Sequence, residues 1–233
     1  MAAYPMEAIV LAGGLGTRLR KVVPDLPKPL APIAGRPFLQ ILLASLSRKG
    51  YIRVVLSVGF MAEKISKYFG DRFGNLELVY VLEPEPLGTG GAARLAMQAC
   101  TADHVFILNG DTFLDLETDQ VEQHWQVHRR PIIVGREQSN TARYGRLKTA
   151  EGAVIGIVEK GVTGPGLINA GCYIFNRGQL DGYRAGAAFS LETDYLPTAV
   201  ANTRFDLYVT SGKFIDIGIP EDYERAQDEL ASC

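Results

Sequence analysis

The chain has 233 residues, of which 47% are hydrophobic and 21% are charged, a balance that predicts a globular protein large enough to bury a core. Its net charge of −2 argues against a general nucleic-acid-binding protein, and no apolar run reaches the roughly 20 residues of a membrane span. The three cysteines are scattered without metal-binding spacing, which indicates a reducing cytoplasm rather than a disulfide framework.

Charge is unevenly distributed along the chain. Residues 1–50 carry seven Lys/Arg and two acids, whereas residues 206–233 carry seven acids and two bases. Because the basic segment also contains several glycines after an apolar stretch, it indicates a small anionic ligand there. The first residues lack a basic region followed by an apolar core and a cleavage site, so no signal peptide is expected.

In the first half of the chain, short apolar segments alternate with helical patterns. This alternation predicts parallel strands joined by crossover helices, and hence an α/β sheet that binds ligands at the carboxyl ends of its strands. The predicted strands are 7–12, 52–59, 76–83 and 104–111, and the predicted helices are 38–50, 61–70 and 90–100.

The second half is more irregular, which suits a substrate-binding part on the same continuous sheet. A hairpin is expected to turn at Glu151 and Gly152, and Pro220 is expected near the first turn of a terminal helix. The predicted elements here are a helix at 119–130, a strand at 131–137, the hairpin at 144–160, a strand at 169–176, two strands within 205–218 and a helix at 220–231.

The first strand ends in a turn that contains Gly13, Gly14 and Gly16. Glycines without a Cβ let backbone N–H groups approach phosphate oxygens. The spacing does not match the P-loop, and the dinucleotide fingerprint fails because a leucine occupies the position of its third glycine. A third type remains, in which the turn continues into Thr-Arg and is followed by a distant lysine.

Arg18 and Lys28 are the cations of this third type. Arg18 offers a planar fork of donors and Lys28 a point charge, and Pro27 and Pro29 restrict the backbone on both sides of the lysine. Such a pair would neutralise a triphosphate and its pyrophosphate leaving group.

Several motifs together give the chain a specific resemblance. The stretch "LAGGLGTRLRKVVPDLPKPL" resembles the signature of the nucleoside-triphosphate:sugar-1-phosphate nucleotidyltransferases, and the likeness covers nearly the whole chain. In detail it is most similar to the bacterial D-glycero-α-D-manno-heptose 1-phosphate guanylyltransferases. The further motifs are "EPEPLGTGGA" (83–92), "LNGDTF" (108–113), "YG" (144–145), "EK" (159–160), "NAG" (169–171) and "FIDIGIPEDY" (214–223).

The resemblance implies a Rossmann-like three-layer αβα fold with a mixed, mostly parallel central sheet. It implies one nucleotidyltransferase domain over residues 1–233, with a nucleotide-binding half at 6–115 and a sugar-phosphate-binding half at 116–233. The implied reaction joins GTP and D-glycero-α-D-manno-heptose 1-phosphate to give GDP-heptose and pyrophosphate, for surface polysaccharide precursors. The short chain predicts a minimal enzyme without an appended β-helix domain.

The resemblance also implies the residues of the site. Arg18, Lys28 and Asp111 would be catalytic, and Asp111 with Asp216 would hold Mg²⁺ between the two phosphates. The implied sugar-phosphate residues are Tyr144, Gly145, Glu159, Lys160, Asn169 and Asp216. The implied nucleotide-binding residues are Leu11, Ala12, Gly13, Gly14, Gly16, Thr17, Arg18, Lys28, Glu83, Gly88, Thr89, Asn109, Gly110 and Asp111.

The base is the least determined part of this prediction. Guanine presents N1–H and N2–H₂ donors on one edge, and the carboxylate of Glu83 could accept from both. Thymidylyl-transferring relatives tend to have Gln here, whereas some uridylyl-transferring relatives also have Glu nearby. Glu83 therefore favours guanine and leaves uracil open.

Other functions remain as alternatives. Within the class these are a mannose 1-phosphate guanylyltransferase or a uridylyl- or thymidylyltransferase for another hexose 1-phosphate; outside it, a nucleotide-sugar sensor or an NAD-dependent oxidoreductase. His124 and His128 have the i, i+4 spacing of zinc ligands, but the absence of H-E-x-x-H favours an ordinary surface helix. Small molecules, not nucleic acid or membrane, are the expected partners, and homo-oligomer formation stays open.

Overall fold

The computed structural model describes residues 5–14, 16, 19, 22–158 and 160–233. The elements follow the predicted order, with ends that differ from the predictions by a few residues. In chain order the strands are β1 Met6–Leu11, β2 Pro32–Ile33, β3 Arg36–Pro37, β4 Tyr51–Val58, β5 Arg72–Phe73, β6 Leu76–Leu82, β7 His104–Asn109, β8 Thr112–Leu114, β9 Ile132–Gln138, β10 Arg146–Ala150, β11 Ala153–Val158, β12 Gly166–Asn176, β13 Phe205–Thr210 and β14 Phe214–Asp216. The α-helices are α1 Phe38–Arg48, α2 Ala62–Phe69, α3 Gly88–Ala96, α4 Thr118–His128, α5 Leu196–Asn202 and α6 Pro220–Glu229.

Ten strands form one twisted sheet in the order β10-β11-β13-β9-β12-β7-β1-β4-β6-β5. Strands β1, β4, β6 and β7 are parallel neighbours, and β9 is parallel to β13. Strand β12, near the centre of the sheet, runs antiparallel to both of its neighbours, β7 and β9. Seven of the ten described strands thus point the same way, and β5, β11 and β12 oppose them, which confirms the mixed, mostly parallel sheet.

Helices cover both faces of this sheet because its central strands are apolar on both sides. In β1, Ala8 and Val10 face one core cluster, to which α1, α2 and α4 contribute. Ile9 faces the other cluster, which α3 and α5 complete. The three-layer αβα arrangement expected from the sequence is confirmed.

The predicted hairpin turns where expected. Glu151 and Gly152 have φ values of +49° and +70°, and Ala150 pairs with Ala153 across the turn. Two successive left-handed residues give the turn a twist that matches the flanking strands. Glycine at the second of these positions makes the conformation cheap.

Several elements were not anticipated from the sequence, namely β2, β3, β5, β8 and α5. The short strands β8 and β14 pair with each other away from the main sheet, and a single π-helical turn at Leu191–Tyr195 precedes α5. All three cysteines are free thiols, and burial raises the pKa of Cys100 and of Cys172 to about 12. Among the described residues, no helix has the length and apolarity to cross a membrane.

Candidate active site

The carboxyl ends of four parallel strands meet at one edge of the sheet, as the alternation predicted. Leu11 pairs with Asn109 at the ends of β1 and β7, and the Ala12 N–H donates to the Ser57 carbonyl at 2.8 Å. The Glu83 N–H donates to the Val58 carbonyl in the same way. These bonds place the residues that follow each strand around one opening.

That opening is a cavity of about 370 Å³, which we call the first cavity. Every predicted nucleotide-binding residue that the structure describes lines it. The two others, Thr17 and Arg18, lie outside the described residues, so their roles stay predictions. The predicted residues in the lining are Leu11, Ala12, Gly13, Gly14, Gly16, Lys28, Glu83, Gly88, Thr89, Asn109, Gly110 and Asp111.

Two glycines in this lining are required by close approach. A Cβ on Gly13 would overlap the Glu83 carboxylate, which also accepts from the Ser57 hydroxyl at 3.0 Å. A Cβ on Gly110 would lie 2.5 Å from the Leu11 carbonyl oxygen, which accepts the Gly110 N–H at 3.0 Å. Gly14, by contrast, has open space beside it, as a turn that admits a ligand needs.

Burial raises the pKa of Glu83, while hydrogen bonds from Ser57 and from the Leu87 backbone oppose the shift. The Leu87 contact is long, at 3.4 Å. One carboxylate oxygen of Glu83 thus accepts a hydrogen bond from Ser57, and the other accepts only the long one from Leu87. Glu83 lines the first cavity and can accept further hydrogen bonds there. Its role in base recognition stays a prediction.

Lys28 is held from several sides. Lys28–Leu30 form a 3₁₀ turn after Pro27, and a Cβ on Gly16 would lie 3.1 Å from the Lys28 Cβ. The ammonium group pairs with the Asp111 carboxylate at 2.5 Å, and the lysine side chain is only 12% exposed. A largely buried cation in the lining of the first cavity suits the binding of phosphate oxygens.

The pairing of β8 with β14 brings Asp216 next to Thr112, the residue after Asp111. Burial, and next the Asp111 carboxylate, raise the pKa of Asp216. Lys28, the Gly218 N–H and Arg143 act in the opposite direction without cancelling the shift. Two acids from distant parts of the chain therefore repel each other at one point.

This pair has the chemistry of a divalent-cation site, because a bound cation would relieve the repulsion between the carboxylates. Carboxylate oxygens are hard ligands of the kind that Mg²⁺ prefers, usually with waters and substrate phosphates. Within the described residues no group of three or more His, Cys, Asp or Glu is placed to hold a metal ion. The two aspartates would thus supply only part of the coordination.

A second cavity of about 780 Å³ adjoins the first. The two share Thr89, Asn109, Asp111 and Gly218 in their linings. The predicted sugar-phosphate residues that the structure describes all line this second cavity, and Glu159 lies outside the described part of the chain. The lining includes Tyr144, Gly145, Lys160, Asn169 and Asp216.

Sequence reasoning missed several side chains of the second cavity, among them Arg143, Tyr173 and Glu192. The Arg143 guanidinium pairs with the buried Asp222 and lies 3.8 Å from Asp216. It precedes the "YG" motif, which is the only local signal that could have pointed to it. Glu192 belongs to the π-helical turn, which has no sequence signature.

The glycines of "GTGG" have a second purpose besides access to a ligand. A Cβ on Gly90 would overlap the Phe189 ring, and a Cβ on Gly91 would overlap the Ala187 carbonyl oxygen. The segment 187–192 therefore packs directly on the first turn of α3.

Asn109 carries an acceptor that the protein itself leaves unsatisfied. Its side-chain oxygen is buried without a hydrogen-bond partner among the described residues, although Asn109 lines both cavities. A donor from a bound substrate would satisfy this acceptor.

The histidine pair with zinc-like spacing lies away from the site. His124 bonds to Asp206 at 3.0 Å, and neither His124 nor His128 lines the two cavities. The helix that carries them therefore has the structural role expected from the sequence.

Comparisons with known proteins agree with this geometry. The family model described as Nucleotidyl transferase matches residues 7–232. A D-glycero-alpha-D-manno-heptose 1-phosphate guanylyltransferase from Aneurinibacillus thermoaerophilus is 40% identical over 226 residues, which cover 97% of this chain and 98% of that protein. A protein of the same name from Campylobacter jejuni is 36% identical, over 94% of this chain and 97% of its own.

A solved structure has the same architecture. The crystal structure of HddC from Yersinia pseudotuberculosis complexed with GMP-PN superposes with a TM-score of 0.86 and 38% identity, over 97% of this chain and 99% of that one. The family match spans almost every residue of the chain, and the relatives are matched over nearly their full length. The chain belongs to the nucleotidyl transferase family.

Proposed function

We propose that this protein is a guanylyltransferase that joins GTP and D-glycero-α-D-manno-heptose 1-phosphate to give GDP-heptose and pyrophosphate. The observation that carries the proposal is the junction of the two cavities, where Asp111 lies in both linings with Lys28 bonded to it. Two bound phosphates could meet at such a shared, charged boundary. The names of the full-length relatives support guanine and heptose.

The chemistry at this boundary is transfer of the guanylyl group of GTP to an anionic sugar phosphate. An oxygen of the sugar 1-phosphate attacks the α-phosphorus of GTP, a new P–O bond forms, and the bond to the bridging oxygen breaks as pyrophosphate leaves. Since the nucleophile is already ionised, no general base is needed. The chain must then supply positioning and charge neutralisation.

The cations of the site are distributed to suit that task. Lys28 lines the first cavity, and Lys160 and Arg143 line the second. Binding of the triphosphate would exchange the Lys28–Asp111 pair for contacts to phosphate oxygens. We assign Arg18 to the triphosphate and Glu159 to the sugar hydroxyls on the family pattern, since both lie outside the described residues.

Mg²⁺ is the metal that we propose for Asp111 and Asp216. The ion would neutralise charge on the phosphates and draw both substrates together. The raised pKa of Asp216 supports this assignment, because burial and the Asp111 carboxylate disfavour the charged form, and a bound cation would favour it.

The test is pyrophosphate release from four nucleoside triphosphates, each combined with the heptose phosphate, mannose 1-phosphate, glucose 1-phosphate and N-acetylglucosamine 1-phosphate. We expect turnover with GTP and the manno-heptose phosphate in the presence of Mg²⁺, and loss of turnover with EDTA. Preference for mannose 1-phosphate would move the protein to the neighbouring guanylyltransferases. Turnover of UTP with the N-acetylated sugar would overturn the proposal.

A further inference from the structure

One carboxylate of the second cavity has surroundings that set it apart from the other acids there. Glu192 lies in the π-helical turn Leu191–Tyr195, and single π-turns are frequent at functional sites. The Ser190 hydroxyl accepts from the Glu192 and Thr193 N–H groups, which fixes the start of this turn. The position of Glu192 is therefore set by the backbone, not by a flexible loop.

The Glu192 carboxylate is surrounded by neutral hydroxyl donors. One of its oxygens accepts from the Thr89 hydroxyl at 2.6 Å and from Ser190 at 3.0 Å. Its other oxygen accepts from the Tyr173 hydroxyl at 3.2 Å. Among the described residues no Lys, Arg or His forms an ion pair with it. The charge is therefore not that of a structural salt bridge.

The bonds continue on both sides of Glu192. Tyr173 also accepts from the Asn169 amide at 2.8 Å, and the oxygen of that amide accepts the Gly171 N–H. Thr89, on the other side, lines both cavities. A single chain of hydrogen bonds thus runs from Asn169 through Tyr173 and Glu192 to Thr89.

The charges that line the second cavity would orient a bound sugar phosphate. A carboxylate repels the phosphate of a sugar 1-phosphate, whereas Lys160 and Arg143, which line the same cavity, attract it. The two other acids of this cavity lie beside cations, Asp111 beside Lys28 and Asp216 beside Arg143. A bound sugar phosphate would consequently present its hydroxyls toward Glu192. The oxygen that faces Tyr173 has one bond and can accept another from such a hydroxyl.

We propose that Glu192 is a specificity-determining residue, which accepts a hydrogen bond from a hydroxyl of the sugar and holds Tyr173 and Thr89 in place around it. The inference rests on the proposed function, because it needs a sugar 1-phosphate in the second cavity. It adds a carboxylate contact supplied by the segment 187–192, for which no sequence motif predicted a role.

The experiment compares Glu192→Ala and Glu192→Gln with the wild type on GTP, D-glycero-α-D-manno-heptose 1-phosphate and its monodeoxy analogues. Asp194→Asn is the matched control, since Asp194 lies on the same turn and outside the cavity lining. Among the described residues its carboxylate bonds only to Ser190 and Thr193. The Tm of each variant is measured to separate folding from recognition.

We expect Glu192→Ala to raise the KM for the sugar phosphate about tenfold to a hundredfold, as for loss of a hydrogen bond to a charged group. The KM for GTP should rise by a smaller factor, through the loss of the bond to Thr89, which also lines the first cavity. Glu192→Gln should fall between, and Asp194→Asn should match the wild type. The wild type should disfavour one deoxy analogue strongly, and Glu192→Ala should no longer discriminate at that position.

The outcomes separate the two proposals. A wild type that is inactive with the heptose phosphate would overturn the proposed function and this inference together. If the wild type is active, and both Glu192 variants have its KM for the sugar phosphate and its activities with the monodeoxy analogues, the inference alone would be overturned. If Glu192→Ala fails to fold, the deoxy profile of Glu192→Gln decides the question by the same criterion.

Discussion

Lys28 and Asp111 form a close ion pair at the boundary between the cavities, with the lysine largely buried. An exposed ion pair contributes little to the stability of a fold. This pair instead keeps both charges where a phosphate and a divalent cation would bind.

Replacing Lys28 with Ala should lower kcat/KM by at least about a hundredfold, because a preorganised charge at the reacting phosphate is lost. The Tm should change little. Lys49→Ala is the control, since Lys49 forms a comparable pair with Asp115 outside both cavities and should leave turnover unchanged. Full activity in purified Lys28→Ala would contradict the assignment.

Replacing Glu83 with Gln should lower kcat/KM for GTP about tenfold to a hundredfold, because an amide cannot accept from both guanine donors. The loss for UTP should be much smaller, so the ratio of the two substrates is the measurement. Gln has the same shape and can still accept from Ser57, so the Tm should be retained. Equal losses for GTP and UTP would refute base reading by this residue.

At the level of elements, the contacts between short segments decide where the functional side chains lie. The β8–β14 pair brings Asp111 and Asp216 together, and the segment 187–192 packs on the first turn of α3. The first contact involves three residues on each side and the second a few more. The site is thus assembled by small pieces added to a large sheet.

Replacing Gly91 with Ala tests the second of these contacts. Alanine favours a helix by about 1 kcal/mol over glycine, but its Cβ would overlap the Ala187 carbonyl oxygen, and overpacking costs about 1–3 kcal/mol. The balance predicts a net loss of about 1 kcal/mol in urea unfolding, within a range of about 0 to 2 kcal/mol. Gly182→Ala is the control, because its added Cβ meets open space, and it should stay within about 0.5 kcal/mol of the wild type. A Gly91→Ala variant more stable than the wild type would disprove the close contact with Ala187.

At the scale of the whole molecule, a second charged group lies at the opposite end of β7 from the site. His104 bonds to Glu122 and to Asp103, each at 2.7 Å, and its ring stacks on Trp125. Burial alone would lower the pKa of His104, but the two carboxylates outweigh it and raise the pKa. The same bonds overcome burial and lower the pKa of Glu122 and of Asp103.

These pKa changes predict how stability depends on pH. The raised pKa of His104 stabilises the fold fully below about pH 6.5, its unfolded value, and this contribution is lost as the pH rises through the folded value. The lowered pKa values of the acids stabilise the fold above about pH 4.5 and fail as the pH falls further. The cluster therefore contributes most between about pH 4.5 and 6.5.

Urea unfolding at pH 5.5, 6.5, 7.5 and 8 should show a free energy of unfolding that declines as the pH rises. The total decline should be about 1.4 kcal/mol for every tenfold by which folding tightens proton binding to His104. His104→Gln should flatten this decline and lower stability throughout. His128→Gln, at an exposed position on α4, should preserve the wild-type slope. If His104→Gln has the same dependence of unfolding free energy on pH as the wild type, the cluster around His104 is not the source of that dependence.

How much of this could be predicted depends on separation along the chain. The αβ alternation, the glycine turn, Lys28 between its prolines and the hairpin at Glu151-Gly152 are local patterns, so they could be read from the sequence without a structure. The residues of both cavities followed from motifs that stand at strand ends. Arg143 and Glu192 carried no comparable signal, and Thr17, Arg18 and Glu159 lie outside the described residues.

No local pattern shows which distant groups meet; the family resemblance implied that Asp111 and Asp216 act together, and the other long-range contacts could be learned only from the tertiary structure. The approach of Asp111 to Asp216, the packing of Gly91 under Ala187 and the bond between Thr89 and Glu192 each join segments about a hundred residues apart. Local propensity carries no information about such contacts, because they form only when the sheet closes and buries both partners. The sequence predicted which chemistry the chain holds, and the fold determined where that chemistry comes together.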